Sequence, residues 1–96
     1  AEYISAQMDY ARSVGMNSAL AKDLIFETII GTVEYLNHNN IKPSNFVKLV
    51  SSPGGTTEAG MKILKSKKFI NTIYKSLNVA SNKSREISKK INLKRD

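Results

Sequence analysis

Residues 19–36 read ALAKDLIFETIIGTVEYL, and the fold turns on how this stretch is covered. Ala21, Ile25, Ile29, Val33 and Leu36 recur at steps of three and four, the spacing of one face of an α-helix. Leu24, Phe26 and Ile30 carry apolar surface well outside that stripe. A helix that is apolar over most of its circumference has to be buried on several sides at once. The whole chain has 96 residues, a length that buries only about 60% of the unfolded surface when a domain folds alone. The stretch therefore calls for covering material beyond one copy of the chain.

Working outward, helical periodicity continues in both directions and no segment alternates as a strand does. A first helix is expected over about residues 1–14, stopped by Gly15, with Asn17 or Ser18 as the N-cap of the helix from Ala19 to Leu36. His38-Asn39-Asn40 reads as a turn. Pro43 suits the first turn of a short helix that ends at Val50 and shows Phe46, Val47, Leu49 and Val50 to a core. A fourth helix is expected from Thr56 or Thr57 to about Ser66, and a last one from Phe69. In the last helix Ile70, Ile73, Leu77, Ala80, Ile87 and Ile91, with Ser84 as a gap, form a heptad-like seam suited to another helix. The tail after Asn92 is expected to fray. The fold class is thus all-α, of about five helices.

Ser51-Ser52-Pro53-Gly54-Gly55-Thr56-Thr57 stands apart from the rest. Two glycines free the backbone and allow close approach of a ligand. A helix begins directly after them, so its first amides point outward without intrahelical partners. With the serine and threonine hydroxyls, the segment has the makings of an anion site. It does not match a phosphate-binding P-loop, because no lysine follows the second glycine and no strand precedes it. A carboxylate is the better guest. The same residues also suit a plain turn between helices, and on residue chemistry alone the plain turn is the stronger reading.

At this segment the sequence resembles the pyrroline-5-carboxylate reductase family, whose signature Ser52-Pro53-Gly54-Gly55-Thr56-Thr57 matches. The likeness continues through Gly15, Leu20-Ala21, Gly31, Pro43 and Leu49-Val50-Ser51 on one side. On the other it takes in Gly60, Phe69 and Lys83-Ser84-Arg85-Glu86. It covers most of the chain and is weakest over the first fourteen residues, which lack the family's Gly-Pro-aromatic lead-in.

The resemblance implies that residues 1–96 are the family's C-terminal domain for dimerisation and substrate binding, interlocked with a second protomer. Assemblies of such dimers are left open. It implies that Ser52, Gly54, Gly55, Thr56 and Thr57 hold the carboxylate of a cyclic imino acid, 1-pyrroline-5-carboxylate. It gives Thr57 the catalytic contact with the ring nitrogen during reduction to proline. The hydride source would be NAD(P)H in an N-terminal Rossmann domain that this chain lacks. No G-x-G-x-x-G turn occurs in these residues, so no cofactor-binding residue is assigned and the chain alone is expected to be inactive. The start at Ala1, already in helical register, reads as the edge of a piece of a longer protein. Glu58 departs from the family, which more often has an apolar residue there. An acid at that place weakens anion binding unless it points away.

Composition bounds the remaining readings. Hydrophobic residues make up 41% of the chain, enough for a folded core, and there is no cysteine for a disulfide or thiolate metal site. No metal site is expected. No apolar run approaches the roughly 18 residues of a membrane span, and no signal peptide is evident, so the cytoplasm is the expected compartment and no membrane partner is foreseen. The net charge of +7 is concentrated beyond Lys62, which raises nucleic acid as a rival partner. The lysines spread over several helix faces without interleaved aromatics, so no nucleic acid is expected. A helical self-association module without catalysis is the other rival. His38 has no visible partner and reads as a solvated loop residue.

Overall fold

The computed structural model describes residues 1–95, with side-chain surroundings described through Asn92. Its five helices are α1 (Glu2–Ser13), α2 (Ser18–Asn39), α3 (Pro43–Val50), α4 (Thr56–Ser66) and α5 (Phe69–Arg95). There is no strand among the described residues, as the periodicity requires. The helices fall into two compact units, Ala1–Leu49 and the part from Val50 onward.

In the first unit, α1 packs on α2. Ile4, Gln7, Met8 and Ala11 recur at three- and four-residue steps and turn one face of α1 inward. Opposite them Ala21 is buried, while Ile25, Ile29 and Leu36 are half-buried. The link between the two helices is short because both of its ends are capped. Gly15, at φ +85°, closes α1. Its N–H donates to Arg12 O and that of Met16 to Ala11 O, both at 3.0 Å, which is the two-bond Schellman pattern. Asn17 Oδ1 then accepts from the amides of Ala19 and Leu20 at 2.9 and 3.2 Å and starts α2.

The far end of α2 corrects two expectations. The helix runs through His38 and Asn39, so these residues form its last turn and His38 is an exposed helical residue. Asn39 Nδ2 donates to Tyr35 O at 2.9 Å, so the polar side chain supports the helix. The stop comes at Asn40, left-handed at φ 52° and ψ 46°. Its N–H reaches Asn37 O, and that of Ile41 reaches Leu36 O at 3.0 Å. Asparagine tolerates the left-handed region better than other side-chain-bearing residues, so α1 and α2 end in the same pattern with different residues.

A third correction concerns α3. Phe46 is half-buried and meets Tyr35 of α2 at an interplanar angle of 51°, with ring centroids 5.6 Å apart. Val47, Leu49 and Val50 are exposed, so within one chain they reach no core. In the second unit α4 packs on α5, with Met61 and Leu64 half-buried. The junction is tight, and Lys68 takes a positive φ of 55° to make it. The helix of α5 continues to Arg95, past the Asn92 where fraying was expected; Asp96 lies outside the described residues.

Among the described residues only Ala11 and Ala21, 7% and 2% exposed, are buried hydrophobic residues. Two methyl groups do not make a core. Leu20, Leu24, Ile30 and Val33 on α2, and Ile70, Ile73, Leu77, Ile87 and Ile91 on α5, all face outward. Between α1 and α2 lies an apolar groove of about 490 Å³, with Tyr10, Val14, Met16, Leu24 and Ile25 on its walls. The apolar breadth of residues 19–36 and the seam of α5 are therefore surfaces that the single chain does not cover. No helix among the described residues is long and apolar enough to cross a membrane.

Candidate functional site

The segment between α3 and α4 folds as a tight turn followed by a helix start. Gly55 N–H donates to Ser52 O at 2.9 Å, closing a four-residue turn whose second and third residues are Pro53 and Gly54. Gly54 has φ +75°. Proline second and a positive-φ glycine third is the pattern of a type II turn. Gly55 carries a different constraint, since a Cβ there would stand 3.1 Å from Ser52 O. The two glycines thus answer separate demands, one of torsion and one of space.

The turn delivers the chain to α4 with Gly55 as N-cap, extended at φ −87° and ψ 176°, and with no side-chain cap bond. The first bond of the α4 ladder is from Ala59 N–H to Gly55 O, at 3.2 Å. The amides of Thr56, Thr57 and Glu58 therefore have no hydrogen-bond partner among the described residues. Three adjacent N–H groups at the positive end of an eleven-residue helix form a donor set for an anion. Ser52, Thr56 and Thr57 are exposed beside it. The expected site residues Ser52, Gly54, Gly55, Thr56 and Thr57 thus lie on one turn and one helix start.

They are not equivalent. The Gly55 amide is committed to Ser52 O, and the Gly54 amide donates to Glu58 Oε1 at 3.3 Å. The open donors lie further along the chain than the glycines suggest. Glu58 does not point away to solvent: its carboxylate turns back over the loop and also lies 3.7 Å from Lys62 Nζ. The sequence carried a signal for this, because an acid at the third helical position is spaced to reach back over the helix start. Ser51 was grouped only with the loop hydroxyls, yet its Oγ is shielded from solvent and has no hydrogen-bond partner. A polar atom in that state is uncommon and suits a place where a ligand supplies the missing bond.

Elsewhere the chemistry is sparse. Among the described residues no three His, Cys, Asp or Glu side chains gather as a metal site does. Two of the C-terminal lysines, Lys83 and Lys90, pair with Glu86 at 3.6 and 3.4 Å. Both pairs are exposed and worth at most about 1 kcal/mol.

Comparison with known proteins places this architecture in a family. The chain is 35% identical over 85 residues to pyrroline-5-carboxylate reductase 2 of Bacillus subtilis, covering 88% of this chain and 31% of that protein. It is 33% identical over 87 residues to the pyrroline-5-carboxylate reductase of Synechocystis, covering 91% of this chain and 33% of that one. The reductase of Arabidopsis thaliana is 32% identical over 85 residues, covering 88% and 31%. The chain spans about a third of the length of the curated relatives it matches. No solved structure matches it. The sequence model described as pyrroline-5-carboxylate reductase dimerisation matches residues 1–87. An all-helical chain with broad uncovered apolar faces is what such a match requires, and the chain belongs to the pyrroline-5-carboxylate reductase dimerisation family.

Proposed function

We propose that this segment pairs two protomers of a pyrroline-5-carboxylate reductase and holds the substrate carboxylate in the turn that opens α4. The observation that carries the second half is the row of open amides at Thr56, Thr57 and Glu58 directly after the Ser52–Gly55 turn. The uncovered faces of α2 and α5 and the α1–α2 groove support the first half. Apolar side chains of that size each gain about 1.5–3 kcal/mol on full burial, and interlocked helices of a second copy would supply it.

The ligand would be 1-pyrroline-5-carboxylate, a cyclic imine whose carboxylate is its one fixed negative charge. The loop amides and the Ser52 and Thr56 hydroxyls would fix that carboxylate, and with it the face of the imine carbon. Fixing both reactants in a reactive geometry removes a large part of the entropic barrier. NAD(P)H, when bound elsewhere in the enzyme, supplies the hydride that turns the imine into proline. The described residues do not fit that dinucleotide, for they include neither a strand nor a Gly-rich strand-to-helix turn. This chain's own part is to hold the carboxylate and to set the Thr57 hydroxyl against the ring nitrogen. There it would steady the charge as hydride arrives or relay a proton.

The test is the reductase activity of the full-length enzyme carrying this segment, with Thr57→Ala as the diagnostic variant. A fall in kcat of about a hundredfold is expected, with thermal stability unchanged. The 96-residue chain alone should show no reduction of the imine. Wild-type kcat in Thr57→Ala would remove the catalytic role of Thr57, and turnover by the isolated chain would overturn the division of labour.

A further inference from the structure

One amide of the loop already has a carboxylate on it. Gly54 N–H donates to Glu58 Oε1 at 3.3 Å, and the same oxygen lies 3.7 Å from Lys62 Nζ. Glu58 is the third residue of α4 and Lys62 stands one turn further on, so all three groups lie along one side of the helix start. The Glu58 side chain is 35% exposed and that of Lys62 is 75% exposed, which leaves both free to move. The contact with Gly54 is long, and water or the lysine can replace it at small cost.

From this geometry we infer that Glu58 is an internal competitor of the substrate carboxylate, with Lys62 as the cation that receives it when substrate enters. The inference rests on the reading that the loop binds a carboxylate. With the site empty, Glu58 satisfies the Gly54 amide and holds the loop closed on itself. An incoming carboxylate meets a negative charge already seated on the Gly54 amide, on the same turn as the open donors. Two carboxylates do not share those donors without repulsion, so one must leave. Glu58 has somewhere to go, because turning its end toward Lys62 keeps an ion pair while freeing the Gly54 N–H. The same competition hastens departure of the product, whose carboxylate is unchanged by the reaction. Glu58 is therefore a specificity-determining residue that sets KM and product affinity, and it takes no part in the chemical step.

The experiment is steady-state kinetics of the full-length enzyme carrying this segment, in wild type, Glu58→Gln and Lys62→Ala, at low and high salt. Glutamine keeps an acceptor for Gly54, so the loop stays formed while the charge is lost. Expected in Glu58→Gln are a KM for 1-pyrroline-5-carboxylate lowered about fivefold, a kcat within about twofold, and tighter inhibition by proline. The advantage should shrink toward nothing at about 1 M salt, since an exposed like-charge contact is screened there. Lys62→Ala should raise KM, because Glu58 then stays on the loop. An unchanged or raised KM in Glu58→Gln overturns the inference, as does a lowered KM that salt leaves untouched. Thr56→Pro, which removes an open amide at the first helical position where proline is tolerated, and Thr56→Ala, which removes the hydroxyl, separate the two levels. If neither moves proline inhibition, the loop is not the carboxylate site and the underlying reading falls. If they move it and Glu58→Gln does not, only the competition is lost.

Discussion

Gly54 and Gly55 look alike in the sequence and fail differently when replaced. Gly54→Ala forces a Cβ into φ +75°, a left-handed conformation that costs about 1–2 kcal/mol in a residue other than glycine. Its thermal midpoint should fall by several degrees, read by circular dichroism. Gly55→Ala meets no torsional penalty, and its Cβ presses on Ser52 O at 3.1 Å. That strain opens the turn and should loosen the proposed carboxylate site more than it lowers stability. At this scale the turn and the helix start after it were legible, for a Pro-Gly-Gly run before a helical pattern is a strong turn signal. Which amides stay open was not. That depends on Gly55 turning in to Ser52 and on Glu58 folding back to Gly54, contacts made only once the turn has its shape.

Element by element, the ends of the helices were readable where one residue decides them and opaque where several compete. Residue type and position left Asn17 and Ser18 as candidate caps, and it is Asn17 that caps, with two bonds. Asn17→Ala should destabilise by about 1 kcal/mol, measured as a lower denaturant midpoint at constant slope. The end of α2 was misjudged because His38-Asn39-Asn40 is polar throughout, while the helix stops only where the left-handed Asn40 ends its ladder. The turn between α4 and α5 carries the same kind of strain without asparagine's tolerance: Lys68 sits at φ 55°. Lys68→Gly relieves it and should raise the thermal midpoint by the equivalent of about 0.5–1 kcal/mol, less what a more flexible unfolded chain takes back. A lower midpoint would mean that the lysine side chain is needed at the junction.

For the whole molecule, apolar pattern and burial part company. Val47, Leu49 and Val50 were read as core and are exposed, as are Leu24, Ile30 and Leu77. Periodicity tells which side chains need cover without telling which copy of the chain provides it. Under the pairing proposed above, the thermal midpoint should rise with protein concentration, since whatever binds only the folded state stabilises it by mass action. Light scattering should give a dimer mass or a multiple of it at micromolar concentration. Ile30→Asp and Leu77→Asp, each placing a charge on an exposed apolar face, should lower that mass or abolish folding. A monomer that melts at one temperature over a hundredfold dilution would refute the pairing.

The thinness of the single-chain core has a genetic consequence. Under the pairing proposed above, folding and partner choice become one event where two alleles of such a gene are expressed together. Alleles altered in the turn at Ser52–Thr57 would then act dominantly, because their products still pair and draw normal subunits into half-competent assemblies. Alleles altered at the buried Ala11 or Ala21 would be recessive, since a chain that fails to fold recruits no one.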